Sequence, residues 1–244
     1  EASGKLKPGM TVVEVTSGNT GIGLAMCCAA KGYGCVIVMP QVPPMMERYM
    51  IVRQFGAEVL LTAPAKGING CLKAYNDLVS SDPSKYFGAN QFKNEDNPNA
   101  HYATTGPEIW EQTGGSVTHF VASTGTTGTI MGVSRFLKSQ NPDIQIIGLQ
   151  PTDGSQIPGI RRWPPEYLPD IYQHERVDRV LHISQSESEQ MMKRLACEEG
   201  IFAGVSSGGA IAAALKLSAE VEEATIVAII CDRGDRYLST GVFV

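Results

Sequence analysis

Short apolar runs alternate with longer helical runs along the first part of the chain. The apolar runs predict β-strands, and residues 35–39 (Cys-Val-Ile-Val-Met) are apolar on both faces, as expected for a buried strand of a parallel sheet. The runs between them predict helices that lead the chain back to the start of the next strand. The pattern predicts strands at 11–15, 35–39, 58–62 and 85–89, and helices at 20–31, 44–55 and 67–80.

The alternation resumes after a polar break at residues 90–97 and a helical stretch at about 98–113. This pattern predicts the α/β class, with parallel sheets covered by helices. We predict two domains, a smaller one at 1–94 and a larger one at 95–244. The predicted elements of the larger domain are strands at 118–123, 144–149, 179–184 and 225–231, and helices at 128–139, 186–199 and 207–219.

Composition and charge narrow the range of partners. The 244 residues are 43% hydrophobic and 18% charged, which suits one large or two small soluble domains. The net charge of −5 comes from mixed signs without a basic stripe, so we expect no nucleic-acid partner. No apolar run reaches the roughly 20 residues of a membrane-spanning helix, so we expect no membrane partner.

The cysteines and histidines lack the spacing of a metal site. No Cys-x-x-Cys pair and no paired histidines occur, so we expect no bound metal. Most of the six cysteines lie in apolar runs, which is typical of buried free thiols in a reducing cytoplasm. We expect all four histidines to be structural or exposed: His101, His119, His174 and His182.

A polar loop between the first strand and the first helix is the strongest candidate for a binding site. We call residues 16–21 the Asn19 loop: Thr16, Ser17, Gly18, Asn19, Thr20 and Gly21. A helix N-terminus offers unpaired N–H groups and the positive end of the helix dipole, which suit an anion. The same residue types also make ordinary turns and caps.

A second loop of this kind follows the predicted strand at 118–123. We call residues 125–129 the threonine loop: Gly125, Thr126, Thr127, Gly128 and Thr129. Two glycines let successive N–H groups converge, and three hydroxyls add donors. Because the Gly-Lys-Ser/Thr of a nucleotide-binding loop is absent, we predict that this loop holds a phosphate monoester.

A third loop, residues 204–210 (Gly-Val-Ser-Ser-Gly-Gly-Ala), also precedes a predicted helix, and we call it the serine loop. Ser206 in this loop could hydrogen-bond a heteroaromatic ring nitrogen or could simply cap the helix.

The three loops together resemble the cysteine synthase family of pyridoxal-phosphate (PLP) enzymes, which share the fold type II architecture of the tryptophan synthase β chain. The resemblance extends from about Lys7 to Phe243. It also includes Gln91-Phe92, the Thr-Thr-Gly-Pro-Glu-Ile-Trp at 104–110 and the Arg-Tyr-Leu-Ser-Thr at 236–240. It implies a smaller mobile domain at 1–94, here incomplete, and a larger PLP-binding domain at 95–244. It also implies a cytoplasmic homodimer that acts on small molecules.

The resemblance implies a role for each loop. Asn19 would hydrogen-bond the 3′-oxygen of PLP, the threonine loop would hold its phosphate and Ser206 would meet its pyridine nitrogen. The substrate carboxylate would lie against Thr16, Ser17, Gly18, Thr20 and Gln91. The implied reaction replaces the acetate of O-acetylserine with sulfide or thiosulfate and yields L-cysteine or S-sulfocysteine.

Three further segments are similar to the cysteine synthase B branch, which accepts thiosulfate: residues 148–151, 157–164 and 231–236. Adjacent Arg161 and Arg162 could bind a sulfur oxyanion by charge-assisted hydrogen bonds, or either could form a structural salt bridge. Trp163 is expected to pack the loop.

The family attaches PLP to a lysine in a Ser-x-Lys-Asp-Arg-like motif several dozen residues before the Asn19 loop. No such motif occurs here, since Lys5 and Lys7 resemble only the family's Lys-Pro-Gly turn. We therefore assign no catalytic residue within this chain. We expect an interior piece of a longer protein, truncated at its N-terminus, with little turnover on its own.

Alternative functions remain open from the sequence. A nucleotide-binding dehydrogenase would use Gly-Asn-Thr-Gly-Ile-Gly at 18–23, but the next strand ends in Met-Pro-Gln without an acidic residue for a ribose. A lysine-less ligand-binding protein of the same fold is the non-enzymatic alternative. Other lyases or dehydratases of fold type II are the nearest alternatives on substrate.

Overall fold

The first four strands form a parallel sheet in the computed structural model, which describes residues 1–41 and 46–243. The strand order is β3-β2-β1-β4, and helices connect successive strands, as parallel pairing requires. The bounds are β1 Thr11–Val15, α1 Asn19–Lys31, β2 Gly34–Pro40, α2 Met46–Gln54, β3 Glu58–Thr62, α3 Gly67–Ser81 and β4 Tyr86–Gly88.

Apolar side chains cover both faces of this first sheet. Successive residues of a strand point to opposite faces, so Val12 packs with Ile37 on one side, whereas Val13 packs with Val36 and Cys71 on the other. Burial on both faces explains why these strands are continuously apolar rather than alternating.

A second parallel sheet follows, with the strand order β7-β6-β5-β8. Its core includes Phe120 on β5, Ile146 on β6, and Ile130 and Leu137 on α6, all fully buried. The bounds are α4 Asp96–Ala103, α5 Thr105–Gln112, β5 His119–Ser123, α6 Gly128–Gln140, β6 Gln145–Pro151, β7 Arg179–Ile183, α7 Gln185–Glu199, α8 Val205–Ser218 and β8 Ile226–Ala228.

Both sheets have the same order, and the order locates their binding edges. In each, the chain moves outward through three strands and then returns to the other side of the first, so β1 and β5 lie where the direction reverses. Open α/β sheets bind ligands outside the carboxyl ends of the strands at this reversal. The loops after β1 and β5 are the Asn19 loop and the threonine loop.

The described residues group into two units, Glu1–Asn90 with Arg236–Val244, and Gln91–Asp235. The predicted boundaries, 1–94 and 95–244, differ at residues 91–94 and at the C-terminal segment. That segment groups with the first unit because the Ser239 N–H and hydroxyl donate to the Glu47 carboxylate, at 2.5 and 2.6 Å. In addition, the Arg48 guanidinium lies 4.8 Å from the centre of the Tyr237 ring.

The predicted α/β class and its parallel sheets are confirmed. The predicted helix at 44–55 is described from Met46, and its residues 44 and 45 lie outside the described residues. The predicted helical stretch at 98–113 is two helices, α4 and α5. Across the described ranges, no helix is both long and apolar enough to cross a membrane.

Candidate functional site

The threonine loop has the most constrained backbone of the predicted site residues. It joins the end of β5, at Ser123, to the start of α6, at Gly128. Thr127 has a φ of +71°, in the left-handed region that β-branched residues rarely adopt. Such strain costs about 1–3 kcal/mol and persists where the surrounding structure enforces it, commonly at ligand sites.

Both glycines of the threonine loop are closely enclosed. A Cβ atom on Gly125 would lie 2.8 Å from the carbonyl oxygen of Gly159. A Cβ atom on Gly128 would lie 1.9 Å from Oδ1 of Asn97. Neither position has room for a side chain, so the close packing of neighbouring segments fixes the shape of the loop.

The hydroxyl of Thr127 has an unmet hydrogen-bonding capacity. Thr127 is 3% exposed, and its Oγ1 is buried without a hydrogen-bond partner among the described residues. Burying a hydroxyl without a partner is unfavourable, by about 1–3 kcal/mol. A phosphate oxygen is an acceptor that would satisfy this hydroxyl, so the loop fits the phosphate monoester that the sequence predicts.

Two side chains of α4 contact the outer hydroxyls of the threonine loop. Asn97 donates from Nδ2 to the Gln91 carbonyl oxygen at 2.8 Å and reaches Oγ1 of Thr126 at 3.5 Å. His101, one turn later, places Nε2 3.2 Å from Oγ1 of Thr129. Neither residue is predicted from the sequence, because no local motif indicates that α4 packs beside this loop.

The segment that contains Arg161, Arg162 and Trp163 packs directly on the threonine loop. Thr124 and Arg161 bond reciprocally, since the Arg161 N–H donates to the Thr124 carbonyl at 2.8 Å and the Thr124 hydroxyl donates to the Arg161 carbonyl at 2.8 Å. The indole N–H of Trp163 donates to the Gly125 carbonyl oxygen at 2.7 Å. Trp163 therefore packs on the threonine loop.

The two adjacent arginines have different surroundings. Arg162 forms an ion pair with Asp153 at 2.6 Å, and both side chains are more than half exposed. The Arg161 guanidinium lies 5.5 Å from the centre of the Trp163 ring, and no carboxylate pairs with it in the part of the chain that the structure describes. Arg161 is thus the better placed of the two for an anionic ligand.

Ser206 lies in the same unit, next to the segment that encloses Gly125. It is 3% exposed, and a Cβ atom on Gly159 would lie 3.3 Å from its Oγ. The backbone at Gly159 therefore lies between Gly125 and Ser206. Its own φ of +91° requires a glycine there.

Cys231 follows β8 and contacts the serine loop. Its N–H donates to the Ser207 hydroxyl at 3.0 Å. Desolvation of the thiol, together with the neighbouring Asp232 charge, raises the pKa of Cys231 to about 11, although part of the residue is exposed. The thiol is therefore neutral at pH 7 and adds no charge beside Ser206.

The Asn19 loop belongs to the other unit and has an ordinary backbone. The Gly18 N–H donates to Oγ1 of Thr16 at 3.0 Å, and α1 begins without a side-chain cap. A Cβ atom on Gly18 would lie 3.6 Å from Oγ1 of Thr16, so the turn is open at this position. A Cβ atom on Gly21 would lie 3.0 Å from Cγ2 of Thr16, so the loop is closely packed only where α1 begins. Asn19 is exposed, whereas Ser17 and Thr20 are half-buried.

The second unit thus contains the threonine loop, Gln91, Arg161 and Ser206, connected through Asn97 and Gly159. Gln91 is 7% exposed. Of the six cysteines, Cys28, Cys35 and Cys71 are buried, and none of the six forms a disulfide. Within residues 1–41 and 46–243, no group of three or more His, Cys, Asp or Glu side chains could hold a metal ion.

Comparison with known sequences identifies the relatives of the chain. The sequence model of the pyridoxal-phosphate dependent enzyme family matches residues 1–232. The chain is 58% identical to cysteine synthase B of Pseudomonas aeruginosa over 243 residues, which cover 100% of this chain and 80% of that protein. It is 43% identical to cysteine synthase A of Escherichia coli over 261 residues, which cover 100% and 80% of the two chains.

Solved structures agree with the sequences. The fold is similar to the crystal structure of a cysteine synthase from Entamoeba histolytica, with a TM-score of 0.92, 41% identity, and coverage of 99% of this chain and 74% of that one. The predicted fold type and the predicted dependence on PLP are confirmed. The chain belongs to the family of pyridoxal-phosphate dependent enzymes, among the cysteine synthases.

Proposed function

We propose that this protein catalyses a PLP-dependent β-replacement that makes L-cysteine and acetate from O-acetylserine and sulfide. The observation that carries the proposal is the buried Thr127 hydroxyl, which has no partner within the described residues and lies in a strained loop between two enclosed glycines. The names of relatives at 58% and 54% identity support the choice of reaction.

The threonine loop would hold the phosphate of PLP through N–H groups at the start of α6 and through the hydroxyls of Thr126, Thr127 and Thr129. The loop supplies no cationic side chain, so the phosphate would be held by dipoles and hydrogen bonds. Asn19, at the start of α1, would donate to the 3′-oxygen. When bound, PLP draws electrons from the α-carbon of the substrate, which makes the α-proton and then the β-substituent easier to remove.

Ser206 would face the pyridine nitrogen. A neutral hydroxyl, unlike a carboxylate, does not stabilise a protonated ring, and the neutral thiol of Cys231 does not change this balance. A ring that stays unprotonated withdraws electrons less strongly. This weaker pull favours loss of a β-substituent over transamination.

By the family resemblance, the substrate carboxylate would lie against Thr16, Ser17, Gly18, Thr20 and Gln91. Backbone N–H groups and the positive end of the helix dipole at a helix start suit a carboxylate.

Thiosulfate is the proposed second sulfur donor, and Arg161 is its proposed ligand. Arg161→Gln should raise the KM for thiosulfate about tenfold or more with little change for sulfide, because it removes a charge-assisted hydrogen bond to an oxyanion. Arg162→Gln is the matched control, because its guanidinium is paired with Asp153. Equal effects of the two substitutions would assign the oxyanion to neither residue.

The assembly and location follow the resemblance. We propose a homodimer in the cytoplasm, with a smaller mobile domain at 1–94 and a larger PLP-binding domain at 95–244. Size-exclusion chromatography with light scattering at several protein concentrations tests the dimer.

Titration with PLP, followed by borohydride reduction and peptide mapping, tests the proposal together with an assay for cysteine. Saturable binding with one labelled lysine, and cysteine formation from O-acetylserine and sulfide, would support the enzyme. Saturable binding without a labelled lysine or product would support ligand binding without turnover, and no saturable binding would overturn both.

A further inference from the structure

Helix α4 approaches the threonine loop unusually closely because of one glycine on α6. A Cβ atom on Gly132 would lie 2.1 Å from the carbonyl oxygen of Pro98 and 2.6 Å from Cβ of His101. The two helices therefore meet backbone to backbone at this point. One turn before Gly132, the same approach brings the side chains of α4 to the start of α6, where the threonine loop ends.

His101 connects two threonine hydroxyls across this contact. Its Nδ1 lies 2.9 Å from Oγ1 of Thr105, the first residue of α5, and its Nε2 lies 3.2 Å from Oγ1 of Thr129. Burial lowers the pKa of His101 below its ordinary value, so the ring is neutral at pH 7. A neutral imidazole has one N–H donor and one acceptor nitrogen.

The tautomer of His101 decides what Thr129 can offer a ligand. A hydroxyl has a single hydrogen. If Nε2 were the acceptor, Thr129 would donate that hydrogen to the imidazole and could not donate it to a ligand. If Nε2 carries the proton, it donates to Oγ1 of Thr129, and the hydrogen of Thr129 is free to donate to an anion. Thr105 then donates to Nδ1, so every group in the row has a partner.

We propose that His101 is a positioning residue of the phosphate site, which holds Thr129 as a donor by the ordered row Thr105 to His101 to Thr129. The inference rests on the proposed function, since it takes the phosphate of PLP as the final acceptor. A hydrogen bond to an anionic oxygen strengthens when its donor itself accepts a hydrogen bond. The row therefore contributes to phosphate affinity although His101 does not touch the phosphate.

The test compares PLP with pyridoxal, which lacks the phosphate, by equilibrium titration of the full chain. His101→Phe should weaken PLP binding about tenfold, the usual effect of losing one hydrogen bond of a charged group, and leave pyridoxal binding unchanged. His101→Gln, whose amide N–H can replace Nε2–H, should retain most of the affinity. In a Thr129→Val background, His101→Phe should cause no further loss, because the row acts through Thr129.

His119→Phe is the matched control. His119 is also hydrogen-bonded to a threonine, with Nδ1 2.8 Å from Oγ1 of Thr118, and burial also lowers its pKa. It begins β5, at the end of the strand away from the threonine loop. The His119 variant should bind PLP as the unmodified chain does.

Two results would overturn the inference. One is unchanged PLP affinity, or an equal loss for PLP and pyridoxal, in His101→Phe. The other is an Nδ1-protonated His101 in the ¹⁵N NMR spectrum of the ligand-free chain, where we expect the Nε2-protonated form. A chain that binds no PLP would instead overturn the proposed function, and the NMR measurement would still decide whether His101 is ordered as proposed.

Discussion

The Asn19 loop and the threonine loop occupy the same position in two sheets of the same strand order, yet they are built differently. Each follows the strand at which the direction of the sheet reverses, and each leads into a helix without a side-chain cap. The threonine loop is enclosed, with Thr127 at a φ of +71° and a buried hydroxyl that has no described partner. The Asn19 loop is more open at Gly18, and Asn19 itself is exposed.

The difference shows that topology and packing contribute separately to a site. Strand order determines where a loop lies, because it places the reversal at the carboxyl end of β1 and β5. The shape of the threonine loop comes from what packs around it, namely Gly159 and Asn97. A preformed loop suits a group that must be held in one place, such as a cofactor phosphate. An open loop suits a ligand that enters and leaves.

Substituting one glycine in each loop is expected to give the largest difference in stability between the two loops. Gly128→Ala should lower the free energy of unfolding by about 2–3 kcal/mol, because its Cβ would displace Asn97 from the Gln91 carbonyl. PLP affinity should fall as well, since the same displacement moves the loop. Thermal or urea unfolding and PLP titration measure the two effects.

Gly18→Ala is the control for that substitution. Its Cβ would meet nothing closer than 3.6 Å, so the loss of stability should be about 1 kcal/mol or less, the usual cost of replacing a glycine at a helix N-cap with alanine. Similar losses for the two variants would show that the two loops do not differ in enclosure.

Replacing the left-handed residue tests the strain directly. Thr127→Gly should be more stable than Thr127→Ala by about 1 kcal/mol, because glycine adopts a positive φ without a steric cost. At Asn19, the first residue of α1, the order should reverse, with alanine equal to or better than glycine by up to about 1 kcal/mol. The same order at both positions in urea unfolding would remove strain as a difference between the loops.

Local sequence patterns predicted the strands, the helices and the three loops, because each depends on residues close together in the chain. The role of α4 could not be predicted in this way. Asn97 and His101 reach the threonine loop only because Gly132, on a different helix, lets the two helices touch. His101 was predicted to be structural or exposed, since a single histidine without metal-ligand spacing carries no other local signal.

Arg161 and Arg162 also differ in a way that the local sequence does not predict. The sequence leaves Arg161 and Arg162 equivalent, and only the structure shows that Asp153 pairs with one of them. Likewise, the hydrogen bonds of Ser239 to Glu47 join the C-terminal segment to the first unit, a link that local composition does not indicate. Both results depend on contacts between residues that local pattern cannot relate.

The start of α7 differs from the starts of α1 and α6, because side chains cap it. The Ser184 hydroxyl accepts from the Glu187 N–H, and Glu187 accepts in return from the Ser184 N–H. The Lys216 ammonium, and next the Ser184 hydroxyl, lower the pKa of Glu187 from 4.5 to about 2. Because the folded pKa is the lower one, this stabilisation is complete above about pH 4.5 and is lost as the pH falls towards 2.

Glu187→Gln is therefore expected to give the smallest effect, and one confined to stability. The carboxylate and Lys216 are both partly exposed, so solvent screening reduces the loss of stability at pH 7 to about 1 kcal/mol. Because the variant has no carboxylate to protonate at this position, it should lose less stability than the unmodified chain between pH 4.5 and 2. PLP affinity should not change, since the side chains of Ser184 and Glu187 cap the start of α7. Glu198→Gln, in the exposed pair with Arg194, should cost less still. A loss of PLP affinity in Glu187→Gln would mean that the start of α7 influences the cofactor site as the start of α6 does, and that self-capped and open helix starts are not functionally distinct in this protein.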